Sequence, residues 1–318
     1  MHPIITLVVQ RLALGLLLLL AVSAVIFLGV EMLPGDTAQA ILGQSATPRA
    51  LENLRAEMGL DQPALTRYFH WLGGIMTGDL GTSLTNKADI AKDIGQRLGN
   101  TLFLAFWAAI ISVPLAILLG LIAARYNGRW PDKLISGVTL STISLPEFVV
   151  GYIVLYFLAV KWQLFPSVAM VFPGMGVLER LNAVILPVIV LVLVVLAHMM
   201  RMTRAAILNV MQSAYIETAE LKGLGPMTVI WKHAFPNAIA PVVNVVMLNL
   251  AYLVVGVVVV EVVFVYPGMG QYLVDHVTKR DLPVVQAVGL IFAAVYIGLN
   301  ILADVISILA NPRLRHPK

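Results

Sequence analysis

Tyr215-Ile-Glu-Thr-Ala-Glu-Leu-Lys-Gly-Leu-Gly-Pro-Met-Thr-Val-Ile-Trp-Lys-His-Ala-Phe-Pro-Asn-Ala-Ile-Ala-Pro-Val-Val243 decides how this chain is organised. It carries two acids and two lysines, breaks at Gly223-Leu-Gly-Pro226, and then resumes a helix-like run. What surrounds it is almost uncharged. Of 318 residues, 59% are hydrophobic and only 12% are charged, against about 25% charge in a typical soluble domain. A structured polar insert in such a chain must face water between two membrane spans.

A helical span needs about 20 apolar residues. Six stretches qualify: Leu12–Val30, Thr101–Ala124, the segment between Lys133 and Lys161 with Glu147 as its one charge, Leu181–Ala197, Ala234–Val260 and Leu282–Ala303. They are too long, and too little alternating, for barrel strands. The expectation is an all-α integral membrane protein of six transmembrane helices. It divides into the N-terminus and first span (1–30), an external region (31–100), a five-helix core (101–310) containing a cytoplasmic loop (201–238), and a cytoplasmic tail (311–318). The first span is expected to stay in place. Its apolar run is longer than that of a signal peptide, and the A-x-A-like Ala38-Gln39-Ala40 lies beyond Pro34 and Asp36.

Lys and Arg in short loops set the orientation. With the N-terminus inside, Arg125, Arg129 and Lys133 lie inside after the second span. So do Arg201, Arg204, Lys222 and Lys232 after the fourth, and Arg313, Arg315 and Lys318 in the tail. The short outer loops hold only Lys161 with Arg180, and Lys279 with Arg280. The chain is read as N-in and C-in, with residues 215–243 starting in the cytoplasm. No internal repeat of the inverted kind is visible.

Within the opening stretch, Ile207, Met211, Tyr215 and Ala219 recur every four residues and are expected on one helix face, with Ser213, Glu217 and Glu220 on another. Gly223 stands where a left-handed terminus belongs. Gly225 suits an N-cap and Pro226 the first helical position of a second helix. The small Ala219 and Gly223 would admit a close protein surface. The product is a helix–turn–helix knuckle anchored at both ends to spans, able to carry a push from a partner. The competing reading is a solvated amphipathic loop at the lipid surface.

These residues carry a family resemblance. Glu217-Thr218-Ala219, Gly223 and Phe235-Pro236 resemble the EAA motif of ABC importer permeases, the docking element for the ATPase subunit. Tyr215-x-x-Thr218-Ala219-x-x-Lys222-Gly223-Leu224 followed by His233-Ala-Phe-Pro236-Asn-Ala238 is similar to the oligopeptide/dipeptide branch. So, in order, are Leu33-Pro-Gly-Asp36, Met58-Gly-Leu-Asp-Gln-Pro63, Gly78-Asp-Leu-Gly-Thr-Ser83, Asn100-Thr-Leu102, Arg201-x-x-Arg204 and Glu261-x-x-Phe264-x-x-Pro267-Gly-Met-Gly270. The chain departs from the pattern at Thr218, Phe235, Gly225 and Asn311-Pro-Arg313.

The resemblance implies a type I importer permease of the bacterial inner (cytoplasmic) membrane, forming half of a path for peptides or similar small solutes. It implies a homologous second permease subunit, two ATPase subunits and an external solute-binding protein that faces the 31–100 region. ATPase coupling would fall to Tyr215, Glu217, Thr218, Ala219, Lys222, Gly223, Leu224, His233 and Pro236. Relatives take nickel, opines or glutathione-like compounds.

Other residues leave alternatives open. Glu147, Glu261, Phe264 and Asp304 are candidates for pore or gating positions, or, for the acids, structural hydrogen bonding. Arg201 and Arg204 either snorkel to membrane lipid phosphates or contact the knuckle or ATPase. Met199, Met200 and Met202 read as packing before a soft-metal path. The absence of cysteine excludes disulfides and thiolate metal sites. There is no G-x-x-x-x-G-K-[ST] loop, so no cofactor is expected on this chain, with ATP and Mg on partner subunits. No H-E-x-x-H and no histidine ligand spacing are present among His2, His70, His198, His233, His276 and His316. Basic residues are not interleaved with aromatics, which argues against nucleic acid. The rival classes are a self-sufficient secondary transporter, for which paired broken helices are missing, and a membrane hydrolase, for which the dyad is missing.

Overall fold

The computed structural model describes residues 3–32, 37–57 and 59–310. The Leu33–Asp36 motif, Met58 and the 311–318 tail lie outside the described residues. Helix α1 (Pro3–Glu31) leads to the short α2 (Thr37–Leu42), α3 (Pro48–Glu57) and α4 (Ala64–Thr77), which make up much of the external region. The core follows as α5 (Ile90–Arg125), α6 (Trp130–Ser144), α7 (Glu147–Leu155), α8 (Val177–Met211), α9 (Ala214–Leu221) and α10 (Pro226–Thr228). It ends with α11 (Phe235–Val255), α12 (Val258–Val263), α13 (Met269–Thr278) and α14 (Leu282–Ala310). Among the described residues the nearest thing to a strand is one isolated bridge, Thr82 to Asp89.

Five stretches are long and apolar enough to span singly: Val8–Glu31, Ile90–Arg125, Val177–Met211, Pro226–Val263 and Leu282–Ile306. The expected third span is instead a pair, α6 and α7, bent by 103°. The cause is Leu145-Pro146. Proline supplies no N–H and forces its predecessor out of the helical region, and Leu145 is extended at φ −94°, ψ 137°. Counting that pair as one span gives six.

The expected fourth span was short. In the structure α8 runs through its charged end to Met211, and most of its apolar stretch is inside the protein. It is the axis of the core. Leu186, Leu191, Val195, Met199 and Met200 of α8 are buried against Leu104, Ala108 and Ala116 of α5 and Leu253 and Val257 of the fifth span. At Gly120 the two helices come into close approach. A Cβ there would stand 2.9 Å from the Thr203 side chain. Helix α1 lies at the edge on α14, where Arg11 Nη1 pairs with Asp304 Oδ2 at 3.0 Å. That pair places the start of α1 and the end of α14 on the same side.

The segment between α1 and α5 is fastened in two places. Ser23 and Tyr68 share a hydrogen bond of 2.9 Å, and Phe27 packs on Tyr68 and Trp71. Further on, the fully buried Asp281 accepts from Ser83 Oγ (2.5 Å), Leu84 N (3.1 Å), Thr85 N (3.2 Å) and Thr85 Oγ1 (2.8 Å). A carboxylate saturated in this way ties the turn after α4 to the start of α14.

Candidate functional site

The knuckle is two short legs. Helix α8 stops at Gln212, and Ser213 restarts the chain as an extended N-cap for α9. The expected single face through Ile207, Met211, Tyr215 and Ala219 is therefore interrupted. Helix phase is reset at the break, so Ile216 is buried and Tyr215 is 43% exposed.

Helix α9 ends in a Schellman turn. Leu224 N donates to Ala219 O at 3.4 Å, Gly223 N donates to Glu220 O at 2.9 Å, and Gly223 sits at φ +77°. Gly225 is the extended N-cap that follows, and Pro226 opens the second leg as expected. That leg passes through a π-helical turn, Val229–Ala234, straight into α11, so it is the start of the fifth span.

The legs pack on each other through Ile216 and Ala219 against Val229 and Ala234. Ala219 thus faces inward, not toward a partner, and its small size lets the two legs close. Ile230 and Ala238 continue this packing onto Ile207, Leu121 and Ala124. The outer side of the knuckle is exposed and mixed in character. Glu217, Thr218, Glu220, Lys222, Gly223 and Pro236 are exposed, and His233 is half-buried. Among them stand Leu221 (82% exposed), Leu224, Met227 and Trp231. Of these, sequence reasoning passed over Leu221, Met227 and Trp231. The signal was available, because they are apolar residues out of phase with the buried set.

The arginines before the knuckle differ. Arg201 is exposed. The Arg204 guanidinium is engaged within the protein: Nε and Nη2 donate to the two oxygens of Asp132 at 2.7 and 2.8 Å, and Nη2 also reaches Asn127 Oδ1 at 2.8 Å. Asp132 is buried and also accepts from Gly128 N and Ser136 Oγ. This clasp ties the loop before α6 to the last turns of α8.

Two of the candidate pore or gating positions lie in the interior. Glu261 and Phe264 are fully buried within this chain and face no surface path in this conformation. Glu261 accepts from Thr101 Oγ1 (2.7 Å), Gly270 N (2.7 Å) and Gln271 N (3.1 Å), and so caps the start of α13. Thr101 Oγ1 in turn accepts from Met269 N at 2.8 Å. Phe264 closes the same knot, its carbonyl accepting from Ala169 N at 2.8 Å. Tyr266 donates to Asn100 O at 2.7 Å, and Arg180 donates to Asn100 Oδ1 at 2.8 Å. Burial pushes the Tyr266 hydroxyl up to about 12, so it remains a donor. Asp304 is likewise a partner for Arg11 at the α1–α14 seam.

Glu147 is different. It opens α7 at the bend, and Tyr252 Oη donates to its Oε2 at 3.2 Å. Its Oε1 is shut from water and has no partner. Its partner Tyr252, with Val195, His198, Leu248 and Asn249, lines a recess of about 340 Å³.

Membrane-length helices packed around α8, with a polar knuckle at one end of two of them, define a multi-span membrane protein. Residues 116–316 match the family described as binding-protein-dependent transport system inner membrane component, and residues 4–105 match its N-terminal companion. The glutathione transport system permease protein GsiC of Escherichia coli O6:H1 is 37% identical over 310 residues, covering 97% of this chain and 98% of its own. The probable peptide ABC transporter permease protein y4tP of Sinorhizobium fredii is 32% identical over 309 residues, covering 97% and 99%. The solved MetNI methionine ABC transporter, in inward-facing conformations, shares the fold at TM-score 0.50 and 17% identity, over 70% of this chain and 96% of its own. The chain belongs to the binding-protein-dependent transport system inner membrane component family, and is a multi-pass ABC importer permease of the bacterial inner membrane.

Proposed function

We propose that this permease carries half of a solute path for peptides or glutathione-like compounds, and that ATP hydrolysis on partner subunits drives it through the knuckle at residues 215–236. The partners are a second, homologous permease, two ATPase subunits holding ATP and Mg, and an external binding protein. This chain itself binds no cofactor and is not an enzyme. The substrate range follows the names of the two relatives.

The observation that carries the coupling role is mechanical. The first leg is joined to the buried axis α8 across a two-residue break, and the second leg is the fifth span itself. Ile216, Ala219, Val229 and Ala234 lock the legs together. Packed interiors transmit displacement because they are close-packed. A push on the exposed rim at Leu221, Leu224 and Met227 therefore moves α8 and α11 as a unit. An apolar rim flanked by Glu217, Glu220 and Lys222 suits a protein groove, with the charges fixing register.

Purification of the tagged chain tests this. Subunits bearing a phosphate-binding loop should co-purify with it, and the separated chain should show no ATP hydrolysis. Specific hydrolysis that survives complete removal of those subunits would overturn the reading.

A further inference from the structure

After Pro236 in its first turn, the exposed residues of α11 form one line. Asn237, Pro241, Asn244, Leu248 and Tyr252 are spaced four, three, four and four apart, which keeps them on a single face. Val242, Met247, Leu253 and Val254 point into the protein. A span whose free face looked into lipid would show apolar side chains there, because polar groups in hydrocarbon lack partners. That face instead mixes two asparagines and a tyrosine with Pro241 and Leu248, and it borders the recess that His198 of α8 also lines. His198 is 13 residues before the end of α8 at Met211, about 20 Å along the helix, so the recess lies at membrane depth. Such a face is stable against water and not against lipid.

Glu147 closes the upper end of the line. Among the described residues no Lys, Arg or His pairs with it, although it sits where an uncompensated carboxylate is costly. One oxygen holds Tyr252 and the other holds nothing. Tyr252 reaches it because Gly256 lacks a side chain. A Cβ at Gly256 would stand 2.8 Å from the tyrosine ring. Tyr252 lines the recess and donates to Glu147, so a shift of this one side chain would open the unpartnered carboxylate to one end of a small solute in the recess. A carboxylate takes the charge of an ammonium group and accepts from its N–H donors, and the ring face adds cation–π attraction.

We propose that Glu147, held by Tyr252, is a station on the translocation path that receives a primary ammonium group carried by the solute. This rests on the permease reading above and assigns a solute-contacting residue within it.

The absence of native cysteine makes the test clean. Leu248→Cys puts one thiol in the recess, in the complete complex reconstituted in membranes. Modification of this chain is followed by mass with 2-aminoethyl methanethiosulfonate, which carries a primary ammonium, and with its anionic 2-sulfonatoethyl counterpart. The cationic reagent should react faster, relative to the same pair on free cysteine, by about tenfold, the size of effect expected from one nearby carboxylate in a partly desolvated site. Adding Glu147→Gln should abolish that preference, and Glu147→Asp should largely keep it. A thiol inert to both reagents in every nucleotide state, or a preference untouched by Glu147→Gln, overturns the proposal. Co-purification of the unsubstituted chain with its ATPase tests the permease reading separately, so the two can fail independently.

Discussion

Gly268 and the Glu261 carboxylate occupy adjoining space with no room for a methyl group between them. A Cβ on Gly268 would lie 2.0 Å from Glu261 Oε1 and 2.4 Å from Oε2. The glycine is required by this contact and not by its backbone, which is extended at φ −98°. Gly268→Ala should therefore break the cap on α13 and loosen the α5–α13 junction. The expected loss is about 1–3 kcal/mol, the range for forcing an extra methyl into a packed site. It should appear as a lower midpoint of thermal unfolding of the purified complex, while Gly176→Ala, at a position where a Cβ meets nothing within 4 Å, changes little. Equal midpoints for the two variants would remove Glu261 from the role given to it here.

The clasp between Arg204 and Asp132 should matter more than its charge count suggests. Two parallel hydrogen bonds at 2.7 and 2.8 Å hold a carboxylate that is only 4% exposed. Arg204→Ala leaves that buried acid without its main partner and should cost about 2 kcal/mol, the scale for a hydrogen bond to a charged group. The neighbouring Arg201→Ala should cost a few tenths, as for exposed surface changes. Chemical denaturation of the two variants in one detergent compares them directly, and similar midpoints would count against the clasp.

Topology can be read with single thiols for the same reason that the recess can. Asn86→Cys, on the turn tied to Asp281, should label with a membrane-impermeant maleimide from outside intact cells. Lys222→Cys, at the knuckle, should label only after the membrane is opened. The reverse pattern would overturn the orientation inferred from loop charges.

The spans, the knuckle and its Gly223-Leu-Gly-Pro226 turn were legible in the sequence because each depends on local chemistry: apolar length, a left-handed glycine, proline at a first helical position. Three features were not legible. The bend at Leu145-Pro146 lies inside an apolar run, and composition alone counts such a run as one span. The phase reset at Gln212-Ser213 moved Tyr215 outward and Ala219 inward, since periodicity carries across a break only if the helix does. The burial of Glu261 and the pairing of Arg204 with Asp132 and of Arg11 with Asp304 depend on residues 160, 72 and 293 positions apart in the chain. No local pattern announces which distant partner an isolated charge will meet.

Gly223 offers the most direct test of the knuckle. Its φ of +77° costs a residue bearing Cβ about 1–2 kcal/mol, yet a Cβ there would meet no atom of this chain within 4 Å. Strain and space are thus separable. Asparagine tolerates the left-handed region better than most residues, so Gly223→Asn should lose little of the Schellman turn, whereas Gly223→Val should strain it. Gly223→Asp adds a negative charge directly after the exposed Lys222, on the knuckle where the ATPase is proposed to dock. All three variants should insert with their spans intact, because the position lies beyond the ends of α8 and α11. Assembly with the ATPase, ATP hydrolysis and solute uptake should then fall in the order Asn, Asp, Val if strain governs the loss, and in the order Asn, Val, Asp if the partner's surface rejects the added charge. Reconstituted complexes measured for all three properties decide between the orders. Unchanged assembly, hydrolysis and uptake in Gly223→Asp would mean that the knuckle is a loop resting on the lipid surface and couples nothing.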